Sequence, residues 1–75
     1  MNSDFVVEQS EFIAERAIKE SGGDPEAAVK RAFELLLLRQ PYADELAACT
    51  NIAESNGLKI VCRSLINSNE YAFLP

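Results

Sequence analysis

Apolar residues recur along this chain with the period of a helix, and the strong breaks are Gly22-Gly23, Gln40-Pro41 and Asn56-Gly57. They leave four segments of helical length, and no two-residue alternation competes with them. In the first segment Phe5, Val6, Phe12, Ile13 and Ala17 share one face of a 3.6-residue helix. Asn2 or Ser3 can cap its start. Gly22 can adopt the left-handed conformation that closes a helix, and Gly23 adds slack to the connection.

Asp24-Pro25-Glu26 opens the second helix with an aspartate as cap, a proline at the first helical position and a glutamate against the positive helix end. Val29, Ala32, Phe33 and Leu36 form its core stripe. Leu35, Leu37 and Leu38 then make the last turn apolar on nearly every side, which predicts burial all round. Pro41 disfavours helical geometry at Gln40 and stops the run. The third helix is predicted over roughly 43–56, with Leu46, Cys49, Thr50 and Ala53 facing inward and Gly57 ending it. The fourth runs from about Leu58 to Asn67, and Leu58, Val61, Cys62, Leu65 and Ile66 fit the amphipathic template while Lys59 and Arg63 share its wet side. Beyond it Ser68 or Asn69 caps one further turn or the sequence runs out extended; the favoured arrangement is a short turn with Tyr71 and Phe73 or Leu74 docked on the bundle.

Short connections make successive helices antiparallel neighbours, so the expected fold is all-α: a compact, four-helix bundle-like single domain over residues 1–75, with the second helix most central. A polypeptide this short buries only about 60% of its unfolded surface and rarely draws more than about 3–5 kcal/mol from one core. Such a domain often leans on a partner or a larger parent.

Composition narrows the function classes. Apolar residues make up 48% and charged ones 25%, a globular balance that predicts folding. The net charge is −5 and the seven Lys and Arg are scattered singly, so no basic stripe suits nucleic acid. The acidic excess serves solubility or greets a basic partner. No apolar run approaches the roughly 20 residues that cross a bilayer, and Met1 to Asp4 has neither a basic n-region nor an h-region, so no membrane insertion is expected.

Three blocks, read together, resemble a known family. They are Asn2-Ser3-Asp4-Phe5-Val6-Val7-Glu8-Gln9, then Arg31-Ala32-Phe33 with Arg39-Gln40-Pro41 and Glu45-Leu46, and finally the string Leu65-Ile66-Asn67-Ser68-Asn69-Glu70-Tyr71. The whole sequence is similar to the C-terminal portion of a planctomycete-specific domain of unknown function. The resemblance implies a large exported parent, often with a second planctomycete-specific domain and sometimes a cytochrome-c-like haem domain upstream. Two departures from the family pattern stand out. Tyr42 replaces the Thr or similar cap after the proline, which removes half of a capping box with Glu45 and predicts a ragged start to the third helix. The tail stops soon after the aromatic, as if Pro75 lies at or near the parent's natural end.

Candidate chemistry is sparse. There is no His, which removes the commonest general base and metal ligand and any Ser-His or Cys-His nucleophile. Cys49 and Cys62 are not paired at C-x-x-C and no His follows them, so no haem attaches within this sequence. The two cysteines sit on inward faces of consecutive helices. Helix axes packed about 8–10 Å apart favour two buried thiols over a disulfide, which needs Cα atoms within about 7 Å. Glu8, Glu11 and Glu15 form one stripe that reads as a solvated face rather than a cation bridge, and no loop has EF-hand ligand spacing. An acyl carrier is also small, acidic and helical, but the Ser-Leu pair here, Ser64-Leu65, follows Arg63 in the middle of the last helix.

Asn67, Ser68, Asn69 and Glu70 cluster where a helix ends; they read as helix terminators bonded to nearby backbone, with ligand contact as the alternative. Two functions from different classes are thus expected. The first is a non-catalytic structural or interaction module of a larger exported protein, monomeric in isolation, with Leu35, Leu37 and Leu38 as its interface to the rest of the parent or to another protein. The alternative is a wall of an active or redox site whose catalytic groups lie upstream.

Overall fold

The computed structural model describes residues 3–68, and these form four helices: α1 (Ser3–Glu20), α2 (Pro25–Leu37), α3 (Ala43–Asn56) and α4 (Leu58–Ile66). No strand occurs among the described residues. The all-α bundle expected from the periodicity is the fold observed. Of the two caps expected for α1, Ser3 is the first residue of the helix and Asn2 lies outside the described residues, as does the docking of Tyr71 with Phe73 or Leu74.

Each connection has a local cause. α1 closes in a Schellman arrangement: Gly23 N–H donates to Ile18 O at 3.0 Å and Gly22 N–H to Lys19 O at 3.4 Å, with Gly22 at φ +71°. Asp24 caps α2, its carboxylate accepting from Ala27 N–H at 2.9 Å, and Pro25 takes the first helical position. Gly57 alone links α3 to α4. Its φ of +95° suits glycine, while a Cβ there would meet nothing within 4 Å, so backbone conformation and not space selects the residue.

Two expectations about helix ends are corrected. α2 stops at Leu37, before Gln40, because Leu38 turns into the left-handed region at φ 59° with its N–H still donating to Glu34 O at 3.2 Å. α3 starts cleanly rather than raggedly, since Glu45 reaches back to accept from Tyr42 N–H at 2.9 Å although the Tyr42 hydroxyl makes no capping bond.

The core is built by three helices. Val6, Ala14 and Ala17 of α1 meet Val29, Ala32 and Phe33 of α2, and every apolar residue assigned to the α4 face is buried. α3 contributes no fully buried residue; Leu46, Cys49 and Ala53 pack half-exposed against the outside of the core. α2 touches all three other helices as expected, but so does α4, whereas α1 and α3 do not meet. The centre is therefore shared by α2 and α4.

The inward face of α1 also differs from expectation. Phe12 is 61% exposed, and the buried stripe instead runs through Val6, Ser10, Ala14 and Ala17. At 100° per residue Phe12 lies roughly 140° round the helix from Ala17. The small side chains of Ser10, Ala14 and Ala17 sit where α1 packs on the core, and the bulky ring falls outside the contact. Ser10 is 1% exposed, and its hydroxyl is satisfied by donating to Val6 O at 2.6 Å.

Candidate functional site

The α2–α3 corner gathers the most unusual side-group arrangement in the molecule. Arg39 leaves the end of α2 and spans the proline turn to Glu45 in the first turn of α3. Its Nη1 donates to Glu45 Oε1 at 2.9 Å and its Nη2 to Oε2 at 3.0 Å, a two-pronged pairing that fixes the guanidinium plane. Nη1 also donates to Gln40 O at 2.9 Å, anchoring the peptide before Pro41. The same guanidinium lies 4.7 Å from the Tyr42 ring centre and 5.4 Å from that of Phe33, within cation–π range of both. One residue thereby ties loop, cap and core together. The Arg39 guanidinium, helped by Tyr42 N–H, pulls the Glu45 carboxyl down to about 2.

Two large apolar side chains are exposed at this corner, Leu38 among the polar Arg31, Glu34, Arg39 and Gln40. Leu38 is 88% exposed and Tyr42 66% exposed. Leu35 and Leu37 are half-buried, Leu37 against the core, so the all-round burial expected for the last turn of α2 does not occur. Of the three residues assigned to an interface, Leu38 is thus the one most open to solvent. Its left-handed backbone is uncommon for a leucine, since a Cβ crowds the following carbonyl there.

A second polar junction joins the C-terminal end of α1 to the middle of α2. Glu20 accepts from Arg16 Nε at 2.9 Å and from Arg31 Nε at 2.6 Å, which ties the last turn of α1 to α2. These hydrogen bonds, Arg16 first, lower the Glu20 carboxyl. Glu8, Glu11 and Glu15 are exposed, with Arg16 turned to Glu20.

Beside this end, Ala14, Ile18, Gly57 and Leu58 line an open cleft of about 320 Å³ rimmed by Glu15 and Lys59. The C-terminal half of α1 thus lies beside the start of α4, which sets the two helices in opposite directions. The cleft brings no nucleophile to an acid–base partner. Among the described residues no three His, Cys, Asp or Glu side chains converge to hold a metal ion, and no helix is long and apolar enough to cross a membrane.

Both cysteines are free thiols: Cys62 is wholly buried and Cys49 half-buried, where two buried thiols were expected. Burial pushes the Cys62 thiol up to about 12. The C-terminal string is described only in part. Asn67 follows α4 with its N–H donating to Arg63 O at 3.1 Å, and the Ser68 hydroxyl donates to Leu65 O at 2.6 Å. Asn69, Glu70 and Tyr71 lie outside the described residues.

The Arg39–Glu45 clamp was not foreseen from the sequence, although both residues stand in the blocks that carry the family resemblance. Opposite charges six apart across a proline were the available signal. Compared with family models, curated proteins and solved structures, the sequence finds no match.

Proposed function

We propose that this protein is a non-catalytic helical module, the C-terminal portion of the planctomycete-specific domain it resembles, and that it packs through its α2–α3 corner against the remainder of a larger exported protein or another protein. The carrying observation is the exposure of Leu38, at 88%, on a corner that Arg39 and Glu45 otherwise fix rigidly. A bare leucine adds nothing to the stability of an isolated domain. With Tyr42, whose ring is held by Arg39, it supplies apolar contact area on a preorganised support. The neighbouring charges are paired with one another, Arg39 with Glu45 and Arg31 with Glu20 and Glu34, which lowers the cost of covering this surface. Alone, the module is monomeric.

Amide hydrogen exchange tests the proposal. The module is measured alone and joined to the reading frame upstream of its first codon. Residues 35–42 gain protection in the longer protein, and Leu38→Asp abolishes that gain without altering exchange in α1 or α4. Equal exchange at the corner in both proteins would overturn the proposal.

A further inference from the structure

The Asn56–Gly57 peptide closes α3 and opens α4, and it carries a reactivity that the rest of the fold does not use. The amide carbon of an asparagine, Cγ, is attacked by the backbone nitrogen of the next residue when that residue is unhindered, and glycine is the least hindered of all. Asn56 is exposed, Gly57 is half-buried, and a Cβ placed on Gly57 would touch nothing within 4 Å, so no neighbouring group crowds the junction. The fold nevertheless holds the nucleophile. Gly57 N–H donates to Ala53 O at 3.0 Å, and Asn56 is the last helical residue of α3. Ring closure requires that hydrogen bond to break and the backbone at Asn56 to leave helical angles, swinging the Gly57 nitrogen under Asn56 Cγ.

We infer that Asn56–Gly57 is a site of spontaneous succinimide formation gated by opening of the last turn of α3. The step balances without oxidant or cofactor. The Gly57 nitrogen loses its proton and bonds to Asn56 Cγ, the bond from Cγ to Nδ2 breaks, and ammonia leaves. Water then opens the ring at either carbonyl, giving aspartate or, with the backbone rerouted through Cβ and Cγ, isoaspartate. The other asparagines within the described helices and caps are less suited: Asn51 precedes the branched Ile52 inside α3, and Asn67 precedes Ser68. Either product puts a new carboxylate at the negative end of α3, where it is repelled, and isoaspartate lengthens by one atom the backbone of a one-residue link. Conversion therefore loosens the α3–α4 junction that lines the cleft beside Ile18 and Leu58.

The experiment incubates the intact protein in buffer below its melting transition and, in parallel, in urea above it, and follows conversion by peptide mass spectrometry with isoaspartate detection. Modification concentrates at Asn56 in both samples. It runs up to about tenfold slower in the native one, the factor that one backbone hydrogen bond's stabilisation represents. Ser55→Gly, which loosens the last turn while leaving the Asn-Gly pair intact, moves the native rate toward the urea rate. Equal rates in native and unfolded samples would overturn the gating. Faster conversion at Asn51 or Asn67 than at Asn56 would overturn the site.

Discussion

Arg39 grips Glu45 through both terminal guanidinium nitrogens, at 2.9 and 3.0 Å, across the proline that separates α2 from α3. Glu45 also accepts the Tyr42 amide proton, so one carboxylate serves as ion-pair partner and helix cap together. Its acidity follows: hydrogen bonding to Arg39, then to Tyr42 N–H, takes the group from 4.5 to about 2. A carboxyl lowered in the folded state binds fewer protons there than in the unfolded state. Its stabilisation is full above pH 4.5 and is lost as pH falls toward 2. Thermal melts of the wild type and Glu45→Gln check this. The gap between the two is constant near neutral pH and closes across that acid window, while Glu20, which is also lowered, titrates alike in both proteins. A gap unchanged at the acid end would show that Glu45 acts only through packing.

Leu38 spends backbone energy without gaining burial. A non-glycine residue in the left-handed region costs about 1 kcal/mol, and at 88% exposure no packing offsets it. Glycine removes that strain but adds freedom to the unfolded state, so Leu38→Gly stabilises the isolated domain by about 0.5 kcal/mol. Chemical denaturation shows the change as a shifted midpoint with an unaltered slope. A clear loss of stability would mean that Leu38 makes intramolecular contacts after all. With the upstream protein attached, the sign reverses, because the leucine then has something to cover.

The features legible from sequence were those decided within one turn of the backbone. Asp24-Pro25 fixes the start of α2 and Gly22 the end of α1 through bonds to residues three to five positions away. The α4 face was legible because its apolar residues are all large enough to register in a helical pattern. α1 misled through size: Phe12 outweighs Ser10 and Ala14 in any hydrophobicity count, yet Ser10 and Ala14 are buried and Phe12 is exposed. The Arg39 clamp stayed invisible because a conformational accident of Leu38, ending α2 early, is what frees Arg39 to turn back toward Glu45. No periodic pattern encodes that. Nor could it show that α3 lies outside the core, since Leu46, Cys49, Thr50 and Ala53 do face inward but remain half-exposed.

Thr50 offers a third stability test. Its Oγ1 is buried without a hydrogen-bond partner among the described residues, where a helical threonine ordinarily donates to the carbonyl four residues back. Leaving a buried hydroxyl unpaired costs about 1–3 kcal/mol, and valine has nearly the same shape without the polar atom. Thr50→Val is therefore expected to stabilise the fold by about 1 kcal/mol, read from denaturant midpoints. Thr50→Ser keeps the hydroxyl and gives no such gain. If valine destabilises, the hydroxyl is satisfied in solution, and a bridging water is the simplest partner.

The two thiols differ in a way that labelling can read. Cys62 is wholly buried and its thiol is pushed up to about 12, so almost no thiolate exists near neutral pH and no reagent reaches it. Cys49 is half-exposed, its thiol raised first by burial and then by the negative charge of Glu45. Alkylation of the native protein should give a singly labelled species at Cys49, forming slowly, with Cys62 modified only as fast as the molecule unfolds. Urea removes the difference. Because the Glu45 charge contributes to the Cys49 shift, Glu45→Gln should speed labelling at Cys49 without changing Cys62 when compared at equal stability. Mass spectrometry under non-reducing conditions accompanies the experiment: an untreated mass equal to that of two free thiols is expected, and a mass lighter by two hydrogens would replace the thiol pair with a bond between α3 and α4.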